Sequence, residues 1–184
     1  MKPTPMSRRG HRARVAVALP ALLVALAACS GDGEGDKQQR EYTVPKSLCG
    51  SPVDSGALAK FLPAGKKVSV EETVSTDRAR RCAVSVDGKR VVYTAQEWWN
   101  DMSVLNFAQG LTEKKLGHRT DDGRFVYSGS EGFGKTEGCR SSEHAGQVLY
   151  TGVQATGSGH EDAAAMKTLI ARYTDGVEES TSCQ

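Results

Sequence analysis

The chain has 184 residues, with 24 Lys and Arg against 22 Asp and Glu and a formal net charge of +2. Five of the basic residues and none of the acidic ones fall within residues 1–28; without that segment 19 basic groups face 22 acidic ones, a net charge of −3. The basicity thus belongs to the N-terminus, and the balance argues against nucleic acid as a partner, which calls for a basic patch or stripe.

The N-terminus has three zones. Lys2, Arg8, Arg9, Arg12 and Arg14 make a basic start, Val15 to Ala25 is an apolar run interrupted only by Pro20, and Leu26-Ala27-Ala28-Cys29 closes it with small residues before a cysteine. A positive segment, a short apolar run and a small-residue cleavage site predict a secretory signal peptide over residues 1–28. The alternative, an uncleaved anchor helix, needs roughly 20 apolar residues to span a bilayer. The leucine-small-small-cysteine ending resembles the bacterial lipobox. That resemblance implies a diacylglycerol on the Cys29 thiol, cleavage just before it, and a mature N-terminus tethered to the outer, extracytoplasmic face of the cell membrane. Each buried lipid CH₂ contributes about 0.8 kcal/mol, and stable attachment takes two membrane signals, such as two chains. Ser7-Arg8-Arg9 looks like part of a twin-arginine export signal, but His11 stands where an aromatic residue is usual, so the export route stays open.

Ser30 to Arg40 has no apolar residue. Such a segment cannot offset its ordering entropy by burial and is expected to stay flexible. Residues 29–45 are therefore assigned to the lipidated cysteine and a stalk, and 46–184 to a single extracytoplasmic domain, large enough for one hydrophobic core. With Cys29 set aside, Cys49, Cys82, Cys139 and Cys183 remain. An even count in an exported protein points to disulfides, although three connectivities are open. Pairing neighbours in sequence gives Cys49–Cys82 and Cys139–Cys183. A four-cysteine zinc site would call for paired Cys-x-x-Cys spacing, and the chain has none.

In chain order, Asp54 to Leu62 reads as a helix, with Asp54 as N-cap, Ala57, Leu58, Phe61 and Leu62 at helical spacing, and Pro63 as its stop. Lys67 to Thr76 carries Val68, Val70 and Val74 at even positions and predicts a half-buried strand. Arg81–Val86 and Lys89–Ala95 flank Asp87-Gly88, the signature of a tight hairpin. Ser103 to Leu116 is expected to be helical, with Gly110 as a weak point. Short strands are expected over Arg124–Tyr127 and Gly146–Ala155. Glu161 to Val177 places Met166, Leu169, Ile170, Tyr173 and Val177 on one helical stripe. Strands in runs with two or three packed helices predict an α+β fold, a mainly antiparallel sheet stapled by disulfides.

Leu48-Cys49-Gly50, the short helix after it, Arg81-Cys82-Ala83-Val84-Ser85-Val86-Asp87-Gly88, a late cysteine and a terminal helix with Leu169-Ile170-Ala171-Arg172-Tyr173 resemble the small disulfide-bearing lipoproteins of high-GC Gram-positive bacteria. The resemblance covers most of residues 47–184. It implies no known reaction and supplies no catalytic residue.

Gly129-Ser130-Glu131-Gly132-Phe133-Gly134-Lys135-Thr136 satisfies the P-loop pattern letter for letter. A P-loop needs a helix after it, and Glu137 to Gly146 carries no helical apolar stripe; nor does a later apolar run end in an Asp for magnesium. The segment is read as a glycine-rich surface loop, with no nucleotide, metal or other cofactor expected. His118, His144 and His160 share no ligand spacing and are read as exposed loop residues, and a disulfide-bonded Cys139 offers no thiolate. Glu71-Glu72, Arg78 to Arg81 and Glu178-Glu179 read as solvated faces. Trp98 and Trp99 are candidate ligand contacts, one in the core and one exposed if they lie on a strand; alternatively both pack beneath the 103–116 segment.

With a tether, a stalk and no assembled catalytic set, the leading expectation is a non-enzymatic binding or interaction module at the cell envelope, its partner an envelope protein or small ligand. The alternatives are an extracytoplasmic enzyme acting on envelope substrates and a structural or stress-related envelope component.

Overall fold

The computed structural model describes residues 39–112 and 114–183. The expected signal peptide, Cys29 and the expected stalk up to residue 38 lie outside the described residues. Among the described residues no helix is long and apolar enough to cross a membrane.

Among the described residues the architecture is α+β: a seven-stranded antiparallel sheet, a small two-stranded one and three helices. Chain order runs β1 (Ser47–Leu48), β2 (Ser51–Pro52), α1 (Ser55–Ala59), β3 (Val68–Ser75), β4 (Ala79–Val86), β5 (Lys89–Asn100), α2 (Val104–Gln109), β6 (His118–Arg119), β7 (Phe125–Tyr127), β8 (Glu131–Lys135), β9 (Gln147–Gln154) and α3 (Ala163–Glu178), with a closing 3₁₀ turn at Thr181–Cys183. The large sheet has the order β3-β4-β5-β9-β8-β7-β6.

Local chemistry accounts for most of these elements. The Asp54 carboxylate accepts from the Ala57 N–H at 2.7 Å and starts α1. Asp87 and Gly88 both have positive φ, +49° and +81°, as a two-residue I′ hairpin turn requires. The Asp162 side chain caps α3 through the Ala165 N–H at 2.9 Å. The stripe Met166, Leu169, Ile170, Tyr173 and Val177 is buried, and each such apolar side chain contributes roughly 1.5–3 kcal/mol.

The sheet is covered on both faces. Leu149 and Tyr150 are neighbours on β9, so they point to opposite sides, and they belong to different cores. Leu149 joins Cys82, Val84, Trp98 and Val153 with α1 and α3. Tyr150 joins Phe133 and Val126 with Val104, Phe107 and Ala108 of α2.

Four expectations are corrected. First, Gly129–Thr136 is not a surface loop: Glu131–Lys135 forms β8, and Glu131 to Gly134 are buried. The glycines let α3 sit directly on the strand, since an ideal Cβ at Gly134 would fall 2.6 Å from Thr174 Oγ1. Second, the 103–116 helix covers only Val104–Gln109 and closes at Gly110. Just beyond it, Thr112 still donates its backbone N–H to Ala108 O at 2.8 Å, and its hydroxyl donates to the buried Glu131 carboxylate. Third, His144 is only 7 % exposed. Fourth, the far end of the segment expected to be a stalk, from Arg40 onward, packs on the domain. Arg40 donates to the carbonyls of Ala59 and Leu62 at 2.8 and 2.6 Å, which satisfies the free end of α1, and Tyr42 donates its hydroxyl to Pro63 O at 2.5 Å. The aromatic Tyr42 and apolar Val44 give residues 41–45 what residues 30–40 lack, something to bury against the core.

Candidate functional site

One end of the sheet, on the α3 face, carries a polar cleft of about 200 Å³. Its floor comes from β4 and β5. Arg80 and Gln96 are cross-strand partners, so their side chains share that face, and Trp98 lies two residues further along β5. The walls are the β3–β4 turn at 76–78, the loop at 139–146, and the 3₁₀ turn.

Gln96 is 3 % exposed. Its amide Nε2 donates to Ser51 Oγ at 2.9 Å and to Tyr173 Oη at 3.0 Å, and Tyr173 passes its own hydroxyl proton to Thr94 Oγ1 at 3.2 Å. The Tyr173 proton is thereby committed, so the amide points its N–H₂ group at the two hydroxyls and leaves its oxygen on the other side. That oxygen, Gln96 Oε1, is buried and has no hydrogen-bond partner. Burial pushes the Tyr173 phenol above its ordinary pKa, which keeps it a neutral donor.

His144 joins two of the walls. Its Nε2 lies 2.7 Å from the Asp77 carbonyl oxygen and its Nδ1 3.1 Å from Gln147 Oε1. The imidazole also stacks on Trp98, with ring centroids 4.8 Å apart and planes at 15°. The third wall is covalently fixed: Cys139, on the 139–146 loop, is bonded to Cys183 of the 3₁₀ turn, with Cα atoms 4.7 Å apart. Arg80 is only loosely engaged, through Glu72 at 3.2 Å and Ser182 Oγ at 3.4 Å, with about a third of its side chain exposed. The cleft thus brings together a guanidinium and several hydroxyl-bearing residues in a frame held by a disulfide and a stacked histidine.

The other disulfide joins Cys49 to Cys82, Cα atoms 6.0 Å apart, and ties the β1–β2 turn to β4. Both bonds are those expected from sequence neighbours. The two tryptophans part company. Trp98 is buried in the cleft floor, while Trp99 on the opposite face is 45 % exposed, so they do not both pack beneath α2. Trp99 is nonetheless held: its Nε1 donates to Glu97 Oε2 at 3.0 Å, and Glu97 Oε1 accepts from Arg81 Nε and Nη2 at 2.8 and 2.5 Å. Burial disfavours the Arg81 cation, but the Glu97 carboxylate outweighs it and holds the guanidinium above its ordinary pKa. Arg81 is therefore not simply a solvated charge. Glu178 is not either, since it accepts from Arg124 Nη2 at 2.5 Å and from the Glu137 N–H at 2.6 Å.

Among the other expected sites, His118 is exposed on β6 and stacks on Tyr127, and His160 is exposed. The backbone groups of the P-loop-like segment are engaged in pairing with β7 and β9 rather than wrapped as an anion cradle, and Lys135 pairs with Asp101. Sequence reasoning missed Gln96, Arg80 and the role of His144. One signal was present. Thr94 and Gln96 share the parity of Val92 and Trp98 on β5, so two polar residues stand between two apolar ones on the core-facing side.

No family model matches the chain, and neither a curated protein nor a solved structure matches it.

Proposed function

We propose that this chain is a lipid-tethered envelope protein whose domain binds a small polar molecule in the cleft over Gln96. The observation that carries the reading is the polar cleft itself, lined by the loosely engaged Arg80 guanidinium and the hydroxyl-bearing residues Ser75, Thr76, Ser141, Thr181 and Ser182. The cleft volume of about 200 Å³ falls below the roughly 300–1,000 Å³ of sites for drug-sized ligands, which fits a small one. The tether rests on the sequence Leu26-Ala27-Ala28-Cys29 alone.

Two measurements test the two halves. Cys29→Ala should move the protein from the membrane fraction to the soluble one; retention in the membrane with an unchanged N-terminus removes the tether. For the cleft, the full-length protein is screened by thermal shift against a library of small polar metabolites, beside Ser182→Trp, which plugs the cleft from its rim. Hits that vanish with the plug support the reading. Hits that survive it, or no hits at all, remove the cleft as the binding site.

A further inference from the structure

We infer that the domain sits on an anionic lipid bilayer through the basic end of its large sheet, the end at which the chain arrives from Cys29, and holds the polar cleft at the other end. The inference rests on the reading of Cys29 as a lipid tether and adds the face that meets the membrane.

Backbone geometry fixes the point of entry. Arg40 bridges to Gly65, and the Glu41 N–H donates to Gly65 O at 2.9 Å. An ideal Cβ on Gly65 would lie 2.5 Å from Val86 Cγ1 and 2.7 Å from Asp87 Oδ2. The chain therefore joins the domain beside the β4–β5 turn, and the same place gathers cations. Lys66 and Lys67 donate their backbone N–H groups to the Asp87 carboxylate. Lys89 and Arg90 open β5 just past the turn. Lys60 stands between Ala59 and Leu62, whose carbonyls hold the Arg40 guanidinium. All five residues are exposed, and among the described residues none of the five is ion-paired with a carboxylate. Against them stand Glu41 and Asp87, and the Asp87 carboxylate is already engaged by two backbone amides.

This concentration runs against the charge of the chain beyond residue 28, which is net −3. Exposed cations clustered at one end of an acidic domain suit an extended anionic surface, where each Lys or Arg brought within a Debye length of about 8 Å adds attraction. The connection to Cys29 selects the bilayer among polyanions. Eleven residues lead from Cys29 to Arg40, and a chain of that length reaches at most about 40 Å. A lipid on Cys29 thus keeps the basic end within reach of the membrane, whereas nucleic acid would have to enter between the two. Arg90 and Trp98 stand on the same strand, β5, about 26 Å apart at the usual rise per residue. Docking by the basic end therefore presents the cleft away from the headgroups, open to solutes.

The test reconstitutes the full chain into vesicles of phosphatidylcholine alone or of equal parts phosphatidylcholine and phosphatidylglycerol. A neutral amine-acylating reagent is added, and modification is mapped lysine by lysine. We expect Lys60, Lys66, Lys67 and Lys89 to react at least about threefold more slowly on the anionic vesicles. The difference should vanish at about 1 M salt, where the Debye length falls to about 3 Å. Lys135 on β8 and Lys167 on α3 serve as references and should react alike on both. Lys60→Gln/Lys89→Gln, at two exposed positions, should weaken the slowing at Lys66 and Lys67. Equal rates on the two vesicles, slowing shared to the same degree by Lys135 and Lys167, or stronger shielding by a DNA duplex than by anionic vesicles overturns the inference. The tether is read separately from Cys29→Ala. If that variant leaves the membrane while the four lysines react alike on both vesicles, only the docking face falls; if it stays in the membrane while they are shielded, only the lipid on Cys29 falls.

Discussion

An ideal Cβ on Gly132 would lie 2.9 Å from the Cβ of Ile170, and one on Gly134 only 2.6 Å from Thr174 Oγ1. The α3 helix thus rests directly on the backbone of β8, and the absence of side chains at those positions is what lets the buried stripe reach the sheet. Gly132→Ala should cost about 1–3 kcal/mol through overpacking, because Ile170 and Met166 on the other side are themselves fully buried. Gly117→Ala, with open space around it and no positive φ, should stay within about 0.5 kcal/mol of wild type. Urea unfolding of the two variants compares them; equal midpoints would refute the close-approach argument.

The Cys139–Cys183 bond holds the 139–146 loop and the 3₁₀ turn together at the mouth of the cleft. Losing a native disulfide from a small domain typically costs about 2–5 kcal/mol. The double variant Cys139→Ser/Cys183→Ser should therefore lower stability by that order. Amide exchange should rise first at residues 174–183 and around His144, while the β4–β5 hairpin keeps its protection. Uniform loss of protection, hairpin included, would show that the bond does not act on the cleft walls in particular.

Much of the fold could be read from the residues. The α3 stripe, the Asp54 cap and the Asp87-Gly88 turn each follow from rules that act within a few residues, and the structure places them where those rules point. Strand β8 escaped because its signal is long-range. Gly132 and Gly134 lower strand propensity locally, and only the helix arriving from 30 to 40 residues later explains why they are there. The α2 helix is shorter than its apolar spacing suggests because it closes at Gly110, the weak point the sequence already carried. In the candidate site, Trp98 was noticed for its size. Gln96 went unremarked because its importance lies in a missing partner, and partners from β2 and α3 (Ser51 and Tyr173) become visible only once the chain is folded.

The hairpin turn carries a pH-sensitive clamp. The Asp87 carboxylate accepts from the Lys66 and Lys67 backbone N–H groups, Lys67 at 2.8 Å, and these bonds hold its pKa below the ordinary aspartate value. Because the folded pKa lies below the unfolded value of about 3.9, the contribution is complete above that value and is lost as pH falls through the lower folded one. Asp87→Asn keeps a residue tolerant of positive φ but loses the ionised acceptor. Its melting temperature should sit below wild type near neutrality, and the gap should close as the solution is acidified below about pH 4. A gap that stays constant down to about pH 2.5, well below the ordinary aspartate pKa, would sink the assignment.

Trp99 is a fixed aromatic on the surface. It is 45 % exposed, yet its indole N–H is bound by Glu97, and Glu97 is bound in turn by both near nitrogens of Arg81. Glu97 is 4 % exposed while a third of the Arg81 side chain reaches solvent. Removing one partner of a fully buried pair costs about 3–5 kcal/mol, and solvent at Arg81 should reduce that toward about 2 kcal/mol for Glu97→Ala. Two effects should separate in the variants. Glu97→Gln retains an acceptor for the indole but weakens the bond to Arg81, so Trp99 should remain ordered while stability falls. Glu97→Ala should free the indole as well, and ¹⁵N relaxation of the Trp99 indole N–H should then report faster motion on the picosecond-to-nanosecond scale. Trp98, stacked on His144 across the sheet, serves as the internal reference and should not change. If Trp99 is as rigid in Glu97→Ala as in the wild type, packing rather than the carboxylate holds it, and the ordered chain from Arg81 through Glu97 to Trp99 has no mechanical role.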